Sequence, residues 1–108
     1  MNGFYERKKT KTTKPSKFIS QILSSNEYLQ MKSHLNLSLL TKFADEMGSL
    51  LHGKKPRGIA AASVYIFSSM LGFKHPQTMI AKRAGVSSLT LRRIIKEVNQ
   101  KYCIMIEL

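Results

Sequence analysis

The residues of this chain best suited to chemistry lie in the stretch 87–96, with sequence SSLTLRRIIK. On a helix, Leu89, Arg92, Arg93 and Lys96 follow one another at i, i+3, i+4 and i+7, so they share one face. Three cations without an acid on such a face favour an anionic polymer, and arginine can donate two hydrogen bonds to a guanine edge. The pattern predicts a helix that reads nucleic acid. The alternative is an ordinary helix with a solvated basic face.

A second helix must hold this one against a duplex. Residues 76–101 have the layout of a helix-turn-helix. Ala81 is small enough for two helices to touch there, and Gly85 can adopt the positive φ that the reversal requires. Val86 would fill the angle between the helices, and Ser87 would cap the second one. In this motif the start of the second helix enters the major groove of double-stranded DNA.

Other polar residues complete the predicted DNA interface. Hydroxyl groups of serine and threonine can bind phosphates or base edges, and Leu89 can contact a thymine methyl group. Nearby cations are expected beside phosphates, with Lys74 and Arg83 as further candidates. The predicted DNA-binding residues are Ser87, Ser88, Leu89, Thr90, Arg92, Arg93, Lys96, Gln77, Lys82, Lys54, Lys55 and Arg57.

The net charge of +12 is unevenly distributed, which supports a polyanionic partner. Residues 1–17 carry six Lys or Arg and one Glu, and residues 54–108 carry ten Lys or Arg and two Glu. Residues 18–53 between them hold two Lys and three acids, for a net charge of −1. Basic ends around a nearly neutral middle predict nucleic acid rather than a membrane, since no basic amphipathic anchor is evident.

Residues that would support other chemistry are sparse. Cys103 is the only cysteine, so an internal disulfide is excluded, and it is expected to pack as a small apolar residue. The three scattered histidines do not form the clustered ligands of a zinc site. The adjacent carboxylates Asp45 and Glu46 fit the solvated side of a helix. Without a phosphate-cradling glycine loop or a catalytic triad, we expect no enzyme activity, no metal and no cofactor.

The 108 residues suit one domain, and their apolar periodicity predicts an all-α fold. The polar, basic residues 1–15 are expected to form a disordered arm in front of a domain at 16–108. The longest apolar stretch, 59–73, is shorter than the roughly twenty residues that span a bilayer, so we expect a soluble, intracellular protein. Five helices are expected, at about residues 16–24, 36–51, 56–71, 76–84 and 87–102, with the third buried at the centre and residues 25–35 unassigned.

Two stretches resemble a known family. GKKPRGIAAASVYIFSSMLG and HPQTMIAKRAGVSSLTLRRIIKEV are similar to the second cyclin-type repeat of transcription initiation factor IIB and archaeal transcription factor B. The shared features are a proline before a helix rich in small residues, Gln-Thr opening the next helix, and the run AGVSSLTLR. The resemblance covers residues 53–101, and KFISQIL with the helix that ends at Gly53 extends it over 16–52.

This resemblance implies a five-helix cyclin-like bundle with a role in transcription. In that family the repeat binds a complex of TATA-binding protein with promoter DNA, and its helix-turn-helix reads the element upstream of the TATA box. By motif position, the base-reading residues would be Leu89, Thr90 and Arg92. In that family a smaller β-branched residue is usual at the position of Leu89, so we expect a base preference different from that of other members. Family members have a zinc ribbon and two repeats, whereas this chain has room for one, so pairing into a homodimer is one way to restore a two-repeat clamp.

Two other functions stay open on the residues alone. A helix-turn-helix regulator outside general initiation would bind as a dimer to half-sites about one helical turn apart. A cyclin-like bundle can also serve only as a protein-interaction module, because a fold does not fix a function. Binding that requires TATA-binding protein favours the family interpretation, and binding indifferent to salt and to Arg92 and Arg93 favours the interaction module.

Overall fold

The regular structure of the chain is entirely helical over the residues that its computed structural model describes, which are 14–51, 53–73 and 75–102. All five expected helices are present, and a sixth, short helix lies in the segment left unassigned. The helices are α1 (Ile19–Ile22), α2 (Leu29–His34), α3 (Leu37–Leu50), α4 (Pro56–Met70), α5 (Gln77–Ala84) and α6 (Ser88–Tyr102), with 3-10 turns at Pro15–Phe18 and Asn26–Tyr28.

Some expectations fall outside the described residues. These are most of the basic arm, at 1–13, and also Lys74 and Cys103. Pro15, the last residue assigned to the arm, is buried and opens the first 3-10 turn. Pro15 therefore packs with the helical domain rather than with the expected arm.

The segment 25–35 folds because of a local cap and two buried side chains. The Ser25 hydroxyl accepts a hydrogen bond from the backbone N–H of Glu27, which starts the 3-10 turn. Tyr28 and Met31 then enter the core. Such short helices show only weak hydrophobic periodicity, because only two side chains of the segment are buried. The sequence pattern alone therefore does not reveal them.

Helix α3 begins at an asparagine cap and buries one side. The Asn36 side chain accepts a hydrogen bond from the N–H of Leu39 at 3.1 Å, which satisfies a free donor at the helix start. Leu40, Ala44 and Met47 form the buried stripe. Past the end of the helix, Gly53 has a φ of 83°, a conformation that glycine adopts without steric strain.

Helix α4 is the centre of the bundle, as its apolar composition predicts. Helices α3, α5 and α6 and the N-terminal segment all pack against it. The run Ala60–Ala62 is fully buried and small, so the neighbouring helices come close. Ser63 is also buried, and its hydroxyl is satisfied by donating to the Ile59 carbonyl at 2.9 Å. No helix among the described residues is long and apolar enough to cross a membrane.

A very close helix contact joins the start of α4 to α6. A Cβ atom placed on Gly58 would lie 2.6 Å from Ile94 Cδ1 and 3.6 Å from Thr90 Cγ2. Both Gly58 and Ile94 are buried, so neither has free space into which to move. The missing side chain at Gly58 therefore sets how closely the first half of α6 approaches the core.

The loop between α4 and α5 is held by aromatic packing. The His75 ring lies against Tyr28, with ring centroids 4.7 Å apart, and stacks on Phe73 at 6.3 Å. His75 Nε2 has no hydrogen-bond partner among the described residues. Burial lowers the pKa of His75 below its usual 6.5, and the charge of Glu27 opposes this shift.

Substitution at the α4–α6 contact should reveal coupling between the two helices. Gly58→Ala overpacks the contact, which typically destabilises by about 1–3 kcal/mol, and the better helix propensity of alanine offsets up to about 1 kcal/mol. Ile94→Val removes the clashing methyl group and alone costs about 0.5–1.5 kcal/mol. We expect the double variant to be more stable than the sum of the two single effects, measured by urea unfolding. Strictly additive effects would show that the two positions do not touch.

The stability of the protein should fall on acidification because of His75. Its folded-state pKa lies below the unfolded value of 6.5, so the unfolded chain binds more protons in the interval between them. The stabilising contribution of the neutral His75 ring is thus complete above pH 6.5, and it is lost as the pH falls through the folded-state pKa. We expect the urea midpoint to drop more between pH 7.5 and 5.5 in the wild type than in His75→Phe, which keeps a ring but cannot titrate. Equal drops would contradict this.

Candidate nucleic-acid interface

The turn between α5 and α6 is formed as the sequence predicts. Gly85 has a φ of 78°, in the left-handed region, and ends α5. The Gly85 N–H donates to the Lys82 carbonyl at 3.2 Å, and the Val86 N–H donates to the Ala81 carbonyl at 3.0 Å. This pair of bonds is the Schellman arrangement, which satisfies the last carbonyls of a helix. Ala81 is buried, so α5 sits close to the core.

Helix α6 begins directly after a serine cap. The Ser87 hydroxyl accepts a hydrogen bond from the Thr90 N–H at 3.1 Å. Its oxygen also lies 2.9 Å from Thr90 Oγ1. The Ser87 carbonyl accepts the first helical bond, from Leu91. Ser87 is therefore engaged in starting the helix, and Thr90 lies beside it on the first turn.

The two faces of α6 differ sharply. Its buried side consists of Leu91, Ile94, Ile95 and Val98. In the sequence, Leu91, Ile95, Val98 and Tyr102 form a stripe of 4-3-4 spacing, and Ile94 lies beside them within a buried face about 100° wide. Tyr102, the last residue of that stripe, is in the helix, but its side chain lies outside the description.

The outer face of α6 presents the predicted cations together. Arg92, Arg93 and Lys96 are all exposed. Leu89 is 57% exposed, which is unusual for a leucine in a helix whose other aliphatic residues are buried. Gln100 continues this face one turn beyond Lys96; its i+4 spacing is a signal that the sequence analysis did not use. We call Leu89, Arg92, Arg93 and Lys96 the basic face.

The start of α4 brings two more predicted cations beside α6 and the turn. Lys54 Nζ lies 3.2 Å from a carboxylate oxygen of Glu97, in a half-exposed ion pair. The guanidinium of Arg57 lies 4.5 Å from the centroid of the Phe18 ring. Arg57 also borders Gly85, because a Cβ on that glycine would be 3.6 Å from its terminal nitrogen. Lys54 is thus partly neutralised, whereas Arg57 is held beside the turn.

The remaining predicted residues are not gathered at the basic face. Lys55 is exposed at the start of α4, and Gln77 is half-buried at the start of α5. Lys82 lines a cleft of about 480 Å³ together with Glu27. In the same cleft Arg83 donates to the Ser24 hydroxyl at 2.7 Å, so this side of α5 is turned towards the N-terminal segment rather than towards α6.

Gly58 is the positioning residue that the sequence analysis missed. It lies under Thr90 and Ile94 and fixes the depth at which α6 sits in the bundle. A glycine two residues after a helix-opening proline is a usable signal, because glycine inside a helix is unfavourable by about 1 kcal/mol unless close packing requires it. The sequence alone does not show which helix makes that approach.

Comparisons with known proteins give consistent matches. The family model "Transcription factor TFIIB repeat" matches residues 8–101. Transcription initiation factor IIB of Pyrodictium occultum is 37% identical over 87 residues, which is 81% of this chain and 27% of that protein. Transcription initiation factor IIB 1 of Thermoplasma volcanium is 33% identical over 95 residues, which is 88% of this chain and 30% of that protein. The chain thus spans less than a third of the length of these relatives. No solved structure gives a significant match.

Removal of the cap should weaken the start of α6. Ser87→Ala leaves the Thr90 N–H without its acceptor, and loss of such a cap costs about 0.5–2 kcal/mol. Ser87→Asn keeps an acceptor at this position and should retain most of the stability. Ser88→Ala, one residue on, serves as the matched control and should change the free energy of unfolding by less than about 0.5 kcal/mol. If Ser87→Ala and Ser88→Ala unfold at the same urea concentration, the cap contributes nothing.

Proposed function

This chain belongs to the family of transcription factor TFIIB repeats, and from that membership we propose that it binds promoter DNA through the basic face of α6. The family assignment also confirms the all-α, cyclin-like fold expected from the sequence. The relatives are transcription initiation factors. The chain is accordingly a transcription-initiation-factor-like core repeat.

The observation that carries the proposal is the arrangement of Arg92, Arg93 and Lys96. They are exposed on one side of a helix whose opposite side is buried in the core. None of the three forms a salt bridge with an acid among the described residues. Because no acid of the described residues neutralises their charges, they are available to replace the counterions of a duplex.

Base contacts are assigned to the first two turns of α6. Arg92 would donate to a guanine edge in the major groove, and Leu89 would contact a thymine methyl group. Thr90 supplies a hydroxyl on the first turn, although the hydrogen bonds around Ser87 already involve it. Ser87 itself would act mainly by capping the helix, and Ser88 is half-buried beside it.

Phosphate contacts are assigned to the cations that flank this helix. Arg57 is nearest to the turn, where its position on the Phe18 ring limits its motion. Lys55 is exposed, and Lys54 would have to share its charge with Glu97. Gln77 and Lys82 of α5 remain proposed contacts with the outer edge of the duplex. Such contacts fix register and contribute affinity without reading sequence.

TATA-binding protein is the proposed partner on DNA, since the resemblance implies recognition of its promoter complex. A single recognition helix contacts few base pairs, and each bidentate pair contributes only about 1–3 kcal/mol of discrimination. A protein bound next to it on the same DNA would raise the effective concentration at the site. We therefore expect tight, sequence-dependent binding only when TATA-binding protein is present.

The decisive experiment is a mobility-shift titration on duplex DNA that carries a TATA box with varied upstream flanks. It is run with and without TATA-binding protein over a salt series. Loss of a bidentate contact in Arg92→Ala should weaken binding about 5- to 150-fold and reduce the discrimination between flanks. Arg93→Ala should flatten the log–log salt dependence by about one unit if it loses one phosphate contact.

Lys32→Ala is the matched control, because Lys32 is an exposed cation on α2, away from α6. It should leave both affinity and flank preference unchanged. Binding that ignores TATA-binding protein but selects a palindromic site would replace this proposal with a separate helix-turn-helix regulator. If neither the wild type nor Arg92→Ala binds DNA at moderate salt, the remaining interpretation is a module that binds other proteins.

A further inference from the structure

A shallow apolar groove runs between α3 and α4, and no described residue covers it. It has a volume of about 200 Å³. The Phe43 and Phe67 rings, which we call the apolar floor, both line it, with centroids 5.3 Å apart. Its lining residues are Leu39, Phe43, Glu46, Ile66, Phe67 and Met70.

The groove is part of a second apolar stripe on α3. Leu39, Phe43, Glu46 and Leu50 follow one another at spacings of 4, 3 and 4, so they share one face beside the buried stripe. Leu39 is 54% exposed and Leu50 is 52% exposed. Across the groove, Met70 of α4 is 62% exposed. Large apolar side chains gathered on one surface mark an interaction site more often than single exposed ones do.

The stripe has the symmetry that a two-fold interface requires. When two copies of α3 are laid antiparallel, Leu39 of one copy faces Leu50 of the other, and Phe43 faces Glu46. Every contact in this register occurs twice, as it must in a closed dimer, where one patch meets itself. The apolar ends of the stripe meet each other, and the polar position lies near the centre.

The charges next to the stripe are complementary in the same register. Glu46 lies at the groove and makes no salt bridge among the described residues. Lys42 is exposed one turn earlier on the neighbouring side of α3. In the antiparallel arrangement, Lys42 of one copy comes level with Glu46 of the other, on the same side of the helix pair. Two such pairs form around the symmetry axis, and they oppose a register shift.

We propose that the groove binds a second copy of this chain, through antiparallel packing of α3 against α3 over the apolar floor. The net charge of the segment 18–53 is −1 in a chain of net charge +12, so this surface lets two copies approach with the least repulsion. No lining residue belongs to α5 or α6, and the basic face therefore remains free in the dimer. This inference does not depend on the proposed DNA binding.

The expected dimer is weak. Helix α3 has 14 residues, which is about 21 Å of helix. A contact along one helix of this length and the edge of α4 is smaller than a standard interface, which buries about 800 Å² per partner, so we expect a dissociation constant in the high micromolar range. Sedimentation equilibrium in the absence of DNA, at up to about 0.5 mM protein, covers that range.

Substitution within the groove should separate the two copies. Leu39→Lys places a cation opposite the apolar end of the stripe and should weaken dimerisation more than tenfold. Leu29→Lys is the matched control, because Leu29 is 58% exposed but lies on α2 outside the groove. It should dimerise like the wild type. A wild-type chain that stays monomeric up to about 0.5 mM, or equal effects of the two leucine variants, would overturn the proposal.

Charge reversal provides a test that folding defects cannot imitate. Lys42→Glu and Glu46→Lys each place like charges opposite one another, so each variant alone should be mainly monomeric. Mixed together, one variant supplies two acids and the other supplies two cations, and the mixture should form a heterodimer at least as tight as the wild-type dimer. Circular dichroism of each variant confirms that it is folded. If the folded single variants both dimerise normally, or if the mixture stays monomeric, the antiparallel register is wrong.

Discussion

Helix α4 has no side that can face water for most of its length, and the bundle is organised around the burial of its surface. Helices α3, α5 and α6 and the N-terminal segment all pack against it. Its small residues, Ala60 to Ala62, let these neighbours come close, and Gly58 permits a close approach by Ile94 of α6. Because protein interiors are packed as densely as organic crystals, a change at one of these contacts moves a whole helix.

The depth of α6 in the bundle decides which of its residues reach solvent. Four aliphatic side chains hold one side of the helix in the core, and the opposite side presents Arg92, Arg93 and Lys96. The Gly85 turn and the Ser87 cap fix where the helix starts. Because the helix is already held rigidly, its backbone loses little entropy on binding. The entropy cost then comes mainly from ordering the long cationic side chains.

The surface of the protein is divided by charge. Cations lie on α6 and at the start of α4, where Arg57 stacks on Phe18 and Lys54 pairs with Glu97. The nearly neutral segment 18–53 contains α3, whose exposed Leu39 lines an apolar groove and whose exposed Leu50 lies on the same face of the helix. An anionic polymer and a second apolar surface would therefore be attracted to different parts of the same small domain.

The amino-acid sequence by itself determined the helices whose apolar spacing is long and regular, and the caps at Asn36 and Ser87 and the glycine at residue 85. It also placed the cations of α6 on one face, because that depends only on 3.6 residues per turn. Contacts between residues distant in the chain required the tertiary structure. One such contact pairs Lys54 with Glu97. Others place Lys82 and Arg83 beside the N-terminal segment, and Gly58 sets how closely α6 can approach α4. Local spacing fixes the direction of a side chain on its own helix, but only packing fixes which other helix that side chain meets.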